Sequence, residues 1–159
     1  MQWYHVLIII MGVLIIFLVV MYFQFINTFT NRKKIQSILL PGGTYNKYID
    51  IIKSNISYFE TVEKEEVYIK SFDDLKLKGY LVESKNSKKV LIFFHGFKSS
   101  YKTDLTNAKQ YIEKGYSLLT IEQRGHGGSE GKFITFGVLE RFDCKSWVEY
   151  IVNRFGEDV

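Results

Sequence analysis

The sequence predicts an α/β protein hung on a transmembrane helix. Three observations carry this: an uncharged apolar run near the N-terminus, a two-residue hydrophobic period from Glu66 to Val82, and two short segments that read as buried strands, the continuous apolar run Val90–Phe94 and Tyr116–Ile121, with helical spacing between and after them. The expected order is an anchor over residues 1–30, a juxtamembrane linker with an amphipathic helix over 31–65, and an α/β domain over 66–159 that opens with a β-hairpin and continues as parallel strands with helices.

The anchor comes first. Val6 to Phe23 is eighteen residues without a charge, which at helical rise spans roughly 27 Å, and continuing to Ile26 gives roughly 31 Å, one hydrocarbon core. Trp3 and Tyr4 at one end and Tyr22, Phe23 and Phe25 at the other suit the interfacial zones. A cleaved signal peptide needs a basic leader, a shorter apolar stretch and a small-residue cleavage site, and the run has none of the three. The helix is therefore expected to remain, making this a single-pass protein of the cell membrane with the lipid bilayer as its first partner.

Charge is concentrated beside that helix. Residues 1–60 hold five Lys/Arg against two Asp/Glu, and residues 61–159 hold sixteen against fifteen. The cluster Arg32, Lys33 and Lys34 on the C-terminal flank favours a cytoplasmic C-terminal domain, although the same cluster suits anionic headgroups on either face. The nearly neutral remainder has no basic face, so no nucleic-acid partner is expected. With one cysteine, Cys144, the chain can form no intrachain disulfide and no thiolate metal cluster.

The linker contains Ile35–Leu40, broken by Pro41, Gly42 and Gly43. Thr44 is a candidate cap for a helix whose stripe runs through Tyr45, Tyr48, Ile49, Ile52, Ile56 and Phe59. That stripe is expected to pack on the following domain, the alternative being the membrane interface. In the domain, Val67 and Ile69 followed by Leu75, Leu77, Tyr80 and Val82 flank the turn Asp73-Asp74 and predict a hairpin. Val90–Phe94 reads as a strand buried on both faces. Ala108, Tyr111 and Ile112 predict a helix ended by Gly115, and Tyr116–Ile121 a second buried strand. A last helix is expected from Thr135 to Phe155, with Val138, Leu139, Phe142, Trp147, Val148, Ile151 and Val152 on its packed face.

Two motifs sit where ligands collect in an open parallel sheet, beyond the carboxyl ends of its strands. One is His95-Gly96-Phe97, directly after Val90–Phe94. The other is Arg124-Gly125-His126-Gly127-Gly128-Ser129-Glu130-Gly131, after the next strand. A dinucleotide reading of the second fails, because Gly125 and Gly127 require a third glycine where Glu130 stands. No P-loop lysine follows. His126 has no second histidine at ligand spacing, so no metal site is expected, and no cofactor.

Together with Thr135, Phe136, Gly137, Glu140, Asp143 and Trp147, these motifs resemble the α/β-hydrolase superfamily, in particular its bacterial serine-aminopeptidase-like and esterase-like branch, over about residues 66–158. The resemblance implies ester or amide hydrolysis and a sheet order beginning 1-2-4-3. It places one oxyanion-hole donor at the backbone N–H of Phe97, with Gly96 allowing close approach. His95, Arg124, Gly125, His126 and Gly127 are implied to support the loops. Glu122 departs from the family pattern, which has Asp two residues before the arginine.

Gly127-Gly128-Ser129-Glu130-Gly131 satisfies G-x-S-x-G, yet a nucleophile elbow needs a strand turning at once into a helix, and the strand ends eight positions earlier. Ser129 is expected to be a turn residue. By resemblance the nucleophile follows a fifth strand and the Asp and His follow later, so the chain reads as an N-terminal fragment cut before the nucleophile strand, inactive alone, with Val90–Phe94 left as an edge. A C-terminal hydrolase half is the corresponding second partner. The alternative is a non-catalytic, membrane-tethered interaction module.

Overall fold

A computed structural model describes residues 2–30, 48–85, 88–97 and 99–159. Two compact units divide the chain at Asn31. The first is one helix, α1, Trp3–Thr30. It is 28 residues long with none buried, about 42 Å at helical rise, long and apolar enough to cross a membrane. Near its end the hydroxyls of Thr28 and Thr30 donate back to the carbonyls of Gln24 and Ile26, which satisfies them without leaving the helix. The expected basic cluster at Arg32–Lys34, the Pro41-Gly42-Gly43 break and the Thr44 cap lie outside the described residues.

The second unit contains helix α2 (Ile49–Thr61), strands β1 (Glu65–Lys70), β2 (Lys76–Val82) and β3 (Val90–Phe94), short helices α3 (Tyr101–Asp104) and α4 (Ala108–Glu113), strand β4 (Ser117–Glu122) and helix α5 (Glu140–Phe155). The sheet order is β1-β2-β4-β3, the order the resemblance implied. It is a mixed sheet. β1 and β2 form the expected antiparallel hairpin, β2 pairs antiparallel with β4, and only β3 and β4 run parallel, Val90 opposite Ser117 through Phe94 opposite Ile121. At the hairpin turn Asp74 takes a left-handed φ of 64°, a conformation that aspartate tolerates better than most residues.

β4 lies inside the sheet, and Ser117 to Ile121 are all buried. Leu119 and Ile121 point to one face, where Val67, Leu77, Leu81, Trp147 and Ile151 complete a core under α5. Leu118 points to the other, against Phe59, Val82, Tyr101, Leu105 and Ala108. Helix α2 thus packs on the domain through Phe59, which meets Tyr101 edge-on with ring centroids 5.6 Å apart. Trp147 is fully buried against Gly79 of β2. A Cβ at Gly79 would lie 3.0 Å from the indole and 3.1 Å from the Thr120 carbonyl, so only glycine leaves room there.

Two expectations need correction. The last helix begins at Glu140, not Thr135, because Phe136 and Gly137 have φ of 50° and 90°, outside helical space. Its packed face is carried by Asp143, Trp147 and Ile151, whereas Val138, Phe142, Val148 and Val152 are exposed. Val90–Phe94 is also less covered than its composition suggests. It lies at the sheet edge, the position expected for it, and only its coverage differs: its residues are half-buried and Phe94 is exposed.

Candidate active-site loops

The loops leaving β3 and β4 meet at the carboxyl ends of those parallel neighbours. His95, directly after β3, is buried, and its ring is held from both sides. Nδ1 lies 2.9 Å from the Gly96 carbonyl, which can only accept, so Nδ1 carries the proton. Nε2 is then an acceptor and receives the Gln123 backbone N–H at 3.2 Å. The Gln123 side-chain amide donates in return to the His95 carbonyl. This reciprocal pair of bonds ties the residue after β3 to the residue after β4. Burial holds the His95 imidazole below the ordinary histidine range, opposed by the Gly96 carbonyl and by Asp104.

The turn beyond His95 is fixed by Asp104 at the end of α3. One carboxylate oxygen accepts the Gly96 N–H at 2.6 Å and the other accepts the Ser99 hydroxyl at 2.5 Å. Phe97, the implied oxyanion residue, is exposed, and its ring stacks on Phe136 from the loop before α5, centroids 4.6 Å apart. Phe136 reaches that position in a left-handed conformation unusual for an aromatic residue. Between these loops lies a crevice of about 210 Å³ lined by His95, Gly96, Phe97, Gln123, His126, Ile134, Phe136, Gly137 and Glu140.

Of the second motif, His126 comes against His95. The rings meet edge to face, centroids 4.6 Å apart and planes at 67°. His126 Nδ1 lies 3.1 Å from the Arg124 carbonyl, while Nε2 is buried without a hydrogen-bond partner among the described residues. Burial, and then the neighbouring His95, hold this ring too below the ordinary range, against carbonyl contacts and Glu140.

Arg124 turns away from the crevice. Its guanidinium binds Asp143 on α5 through Nε and a terminal nitrogen at 2.6 and 2.7 Å, and Asp73 of the hairpin turn through two bonds of 3.0 Å. One side chain thus joins the turn after β1, the loop after β4 and α5. The Arg124 guanidinium holds the Asp73 carboxyl below the usual carboxylate range, and Asp143 leads the groups that raise Arg124. Gly125 has a left-handed φ of 73°, and Gly127 one of 48° beside the Glu122 carboxylate. That carboxylate accepts the Gly128 N–H, so the Glu122 side chain reaches forward into its own loop.

Ser129 is 2% exposed, and its hydroxyl is used twice. It accepts the Lys78 backbone N–H at 2.8 Å and donates to the Glu122 carbonyl. It extends the edge of β2 into the loop and faces no base. Among the described residues no serine stands on a strand-to-helix elbow, and no group of three or more His, Cys, Asp or Glu is arranged to hold a metal. Gln123, Asp104 and Asp73 had no motif to mark them. Only the position of Gln123, one residue past a buried strand, could have drawn attention to it.

No family model matches the chain. The uncharacterized protein YqkD of Bacillus subtilis is 27% identical over 123 residues, which are 77% of this chain and 39% of that protein. Among solved structures, the esterase Pf2001 of Pyrococcus furiosus superposes with a TM-score of 0.56 at 29% identity, covering 65% of this chain and 40% of the esterase. The α/β hydrolase GrgF from Penicillium sp. sh18 superposes with a TM-score of 0.52 at 24% identity, over 57% of this chain and 32% of that one. The chain therefore spans about two fifths of the length of the relatives it matches. Over the matched part it is built like an α/β hydrolase of the esterase kind.

Proposed function

We propose that these 159 residues are the membrane-anchored N-terminal part of a serine hydrolase for ester or amide substrates. Helix α1 is its bilayer anchor, with the domain on the cytoplasmic side. Residues 95–97 are its first oxyanion loop, and the Phe97 backbone N–H is the donor aimed at the developing alkoxide. The observation that carries this reading is the reciprocal bonding of Gln123 and His95, which fixes the residues after β3 beside the β4 loop in a part of the chain that superposes on esterases. A preorganised donor is useful in acyl transfer only if its position does not relax during the reaction, and a two-bond clamp at the root of the loop provides that.

The nucleophile and its base lie in none of the described residues, so the chain alone is proposed to be inactive, its catalytic groups coming from a C-terminal hydrolase half. A fluorophosphonate probe tests both points. The purified chain should not label. Specific labelling that is lost in Ser129→Ala would overturn the assignment of Ser129 as a turn residue and the proposed inactivity together.

A second reading, a non-catalytic module tethered at the membrane, is favoured by one observation: among the described residues β3 is an edge strand with one side unpaired. The two readings separate on supply of the missing part. Residues of the Pf2001 esterase that follow its matched segment, fused after residue 159, should give a chimera that hydrolyses p-nitrophenyl esters and loses activity on Phe97→Pro. A folded but inactive chimera favours the module.

A further inference from the structure

The crevice between the two loops holds a feature that the hydrolase reading does not use. His95 and His126 come from different strands' ends and meet edge to face at 4.6 Å. Their Nδ1 contacts with the Gly96 and Arg124 carbonyls suit either protonation state, but the Nε2 positions are built for neutral rings. His95 Nε2 must keep its lone pair to receive the Gln123 N–H. His126 Nε2 is buried with no acceptor beside it among the described residues, so a proton there would be an unpaired donor.

We propose that the His95–His126 pair is a proton-sensitive clasp between the loops after β3 and β4, closed while both rings are neutral and opened when they take up protons. A proton on His95 Nε2 would set a donor against the Gln123 N–H and break one of the two bonds that join the loops. A second proton, on His126, would place two cations 4.6 Å apart in a partly desolvated site.

The groups facing the pair divide as follows. From α3, the Asp104 carboxylate favours a cation on His95, but it is already bonded to Gly96 and Ser99. From the start of α5, Glu140 favours a cation on His126, but it is bonded to Thr135 and Gly137. The Arg124 guanidinium is turned away onto Asp73 and Asp143. Burial, joined at His126 by the neighbouring His95, outweighs the two carboxylates, and both rings are held below the ordinary histidine value of 6.5. The sign follows. Below pH 6.5 the open form binds protons that the closed form refuses, so acid drives opening. Each pH unit then favours the open form about tenfold for every ring protonated on opening. The effect stops once the closed form titrates as well.

Amide hydrogen exchange of the full chain in nanodiscs at pH 7.5 and 5.5, corrected for the intrinsic pH dependence of exchange, tests the clasp. Opening of residues 95–100 and 123–131 should rise about tenfold or more, while the β1–β2 hairpin stays protected. In His126→Phe, which keeps a ring at the contact but cannot ionise, the rise should shrink. If that variant does not fold, His126→Gln takes its place. In the wild-type chain, NMR of the imidazole protons should show both rings titrating below 6.5. The clasp is overturned if the loops respond equally in the variant, if the hairpin opens with them, or if the rings titrate at the ordinary value. It stands or falls without reference to the hydrolase reading, because none of these readouts is activity.

Discussion

Arg124 grips Asp143 through two hydrogen bonds of 2.6 and 2.7 Å, with neither side chain more than 5% exposed. The pair sits where the glycine-rich loop leaves β4, and α5 is locked to the sheet through it. A buried pair of this kind adds little over a well-packed apolar replacement, yet losing Asp143 leaves the buried Arg124 charge with only the partly exposed Asp73 to compensate it.

Asp143→Ala, in which Asp73 still binds the guanidinium, is therefore expected to cost less than the ~3–5 kcal/mol of a fully unpaired buried charge, read as a lower midpoint in urea unfolding followed by tryptophan fluorescence. The double variant Arg124→Met with Asp143→Leu should recover most of that loss. No recovery would mean that the shape of the pair, not its charge, holds α5.

Asp73 shares the same guanidinium but is partly exposed, and its carboxyl is held below the ordinary value of 3.8, mainly by Arg124. Its stabilising effect is fully present above 3.8 and is lost as the pH falls from there through the lowered native value. Asp73→Asn should flatten the most acidic limb of the stability curve and leave the limb below 6.5 that is proposed for the two loop histidines unchanged. Thermal melts at half-unit steps of pH separate the two.

Ser129→Ala removes an acceptor from Lys78 and a donor to Glu122 at a site with 2% exposure. Two orphaned backbone groups should cost about 1–3 kcal/mol in a chemical denaturation curve. The same variant should leave fluorophosphonate labelling where the wild type has it, at background.

At Gly127 the backbone has a φ of 48°, and an added Cβ would fall on the Glu122 carboxylate. Gly127→Ala should destabilise by about 1–3 kcal/mol. Shortening the neighbour with Glu122→Asp should relieve the clash, leaving the backbone strain together with the loss of the Gly128 N–H bond. Differential scanning of the two variants and the double resolves the coupling.

Much of this was legible in the sequence. Alternation marked the hairpin around Asp73-Asp74, and the segment Tyr116–Ile121 marked the strand with both faces covered. The start of α5 was not. Val138 and Leu139 fit a helical stripe, but the αL residues Phe136 and Gly137, and Glu140 accepting from Thr135 and Gly137, hold the preceding segment as a turn. A local hydrogen-bond arrangement won over periodicity. Within the loops, His95, Gly96 and His126 were marked by motif and position. Gln123 and Asp104 were not, because a glutamine after a strand and an aspartate ending a four-residue helix have no characteristic spacing. Their roles arise from contacts across 28 and 8 residues of chain.

The strand order β1-β2-β4-β3 also sets a timetable for synthesis. The hairpin can zip as soon as it leaves the ribosome, but Val90–Phe94 must wait for β4, made roughly thirty residues later, before it gains its first neighbour. At roughly 5–20 residues per second that is a pause of a few seconds. For that interval five consecutive apolar residues have no sheet to join. The nascent chain is most open to holdase capture in that interval, and codon choice between Phe94 and Ser117 would determine how long the interval lasts.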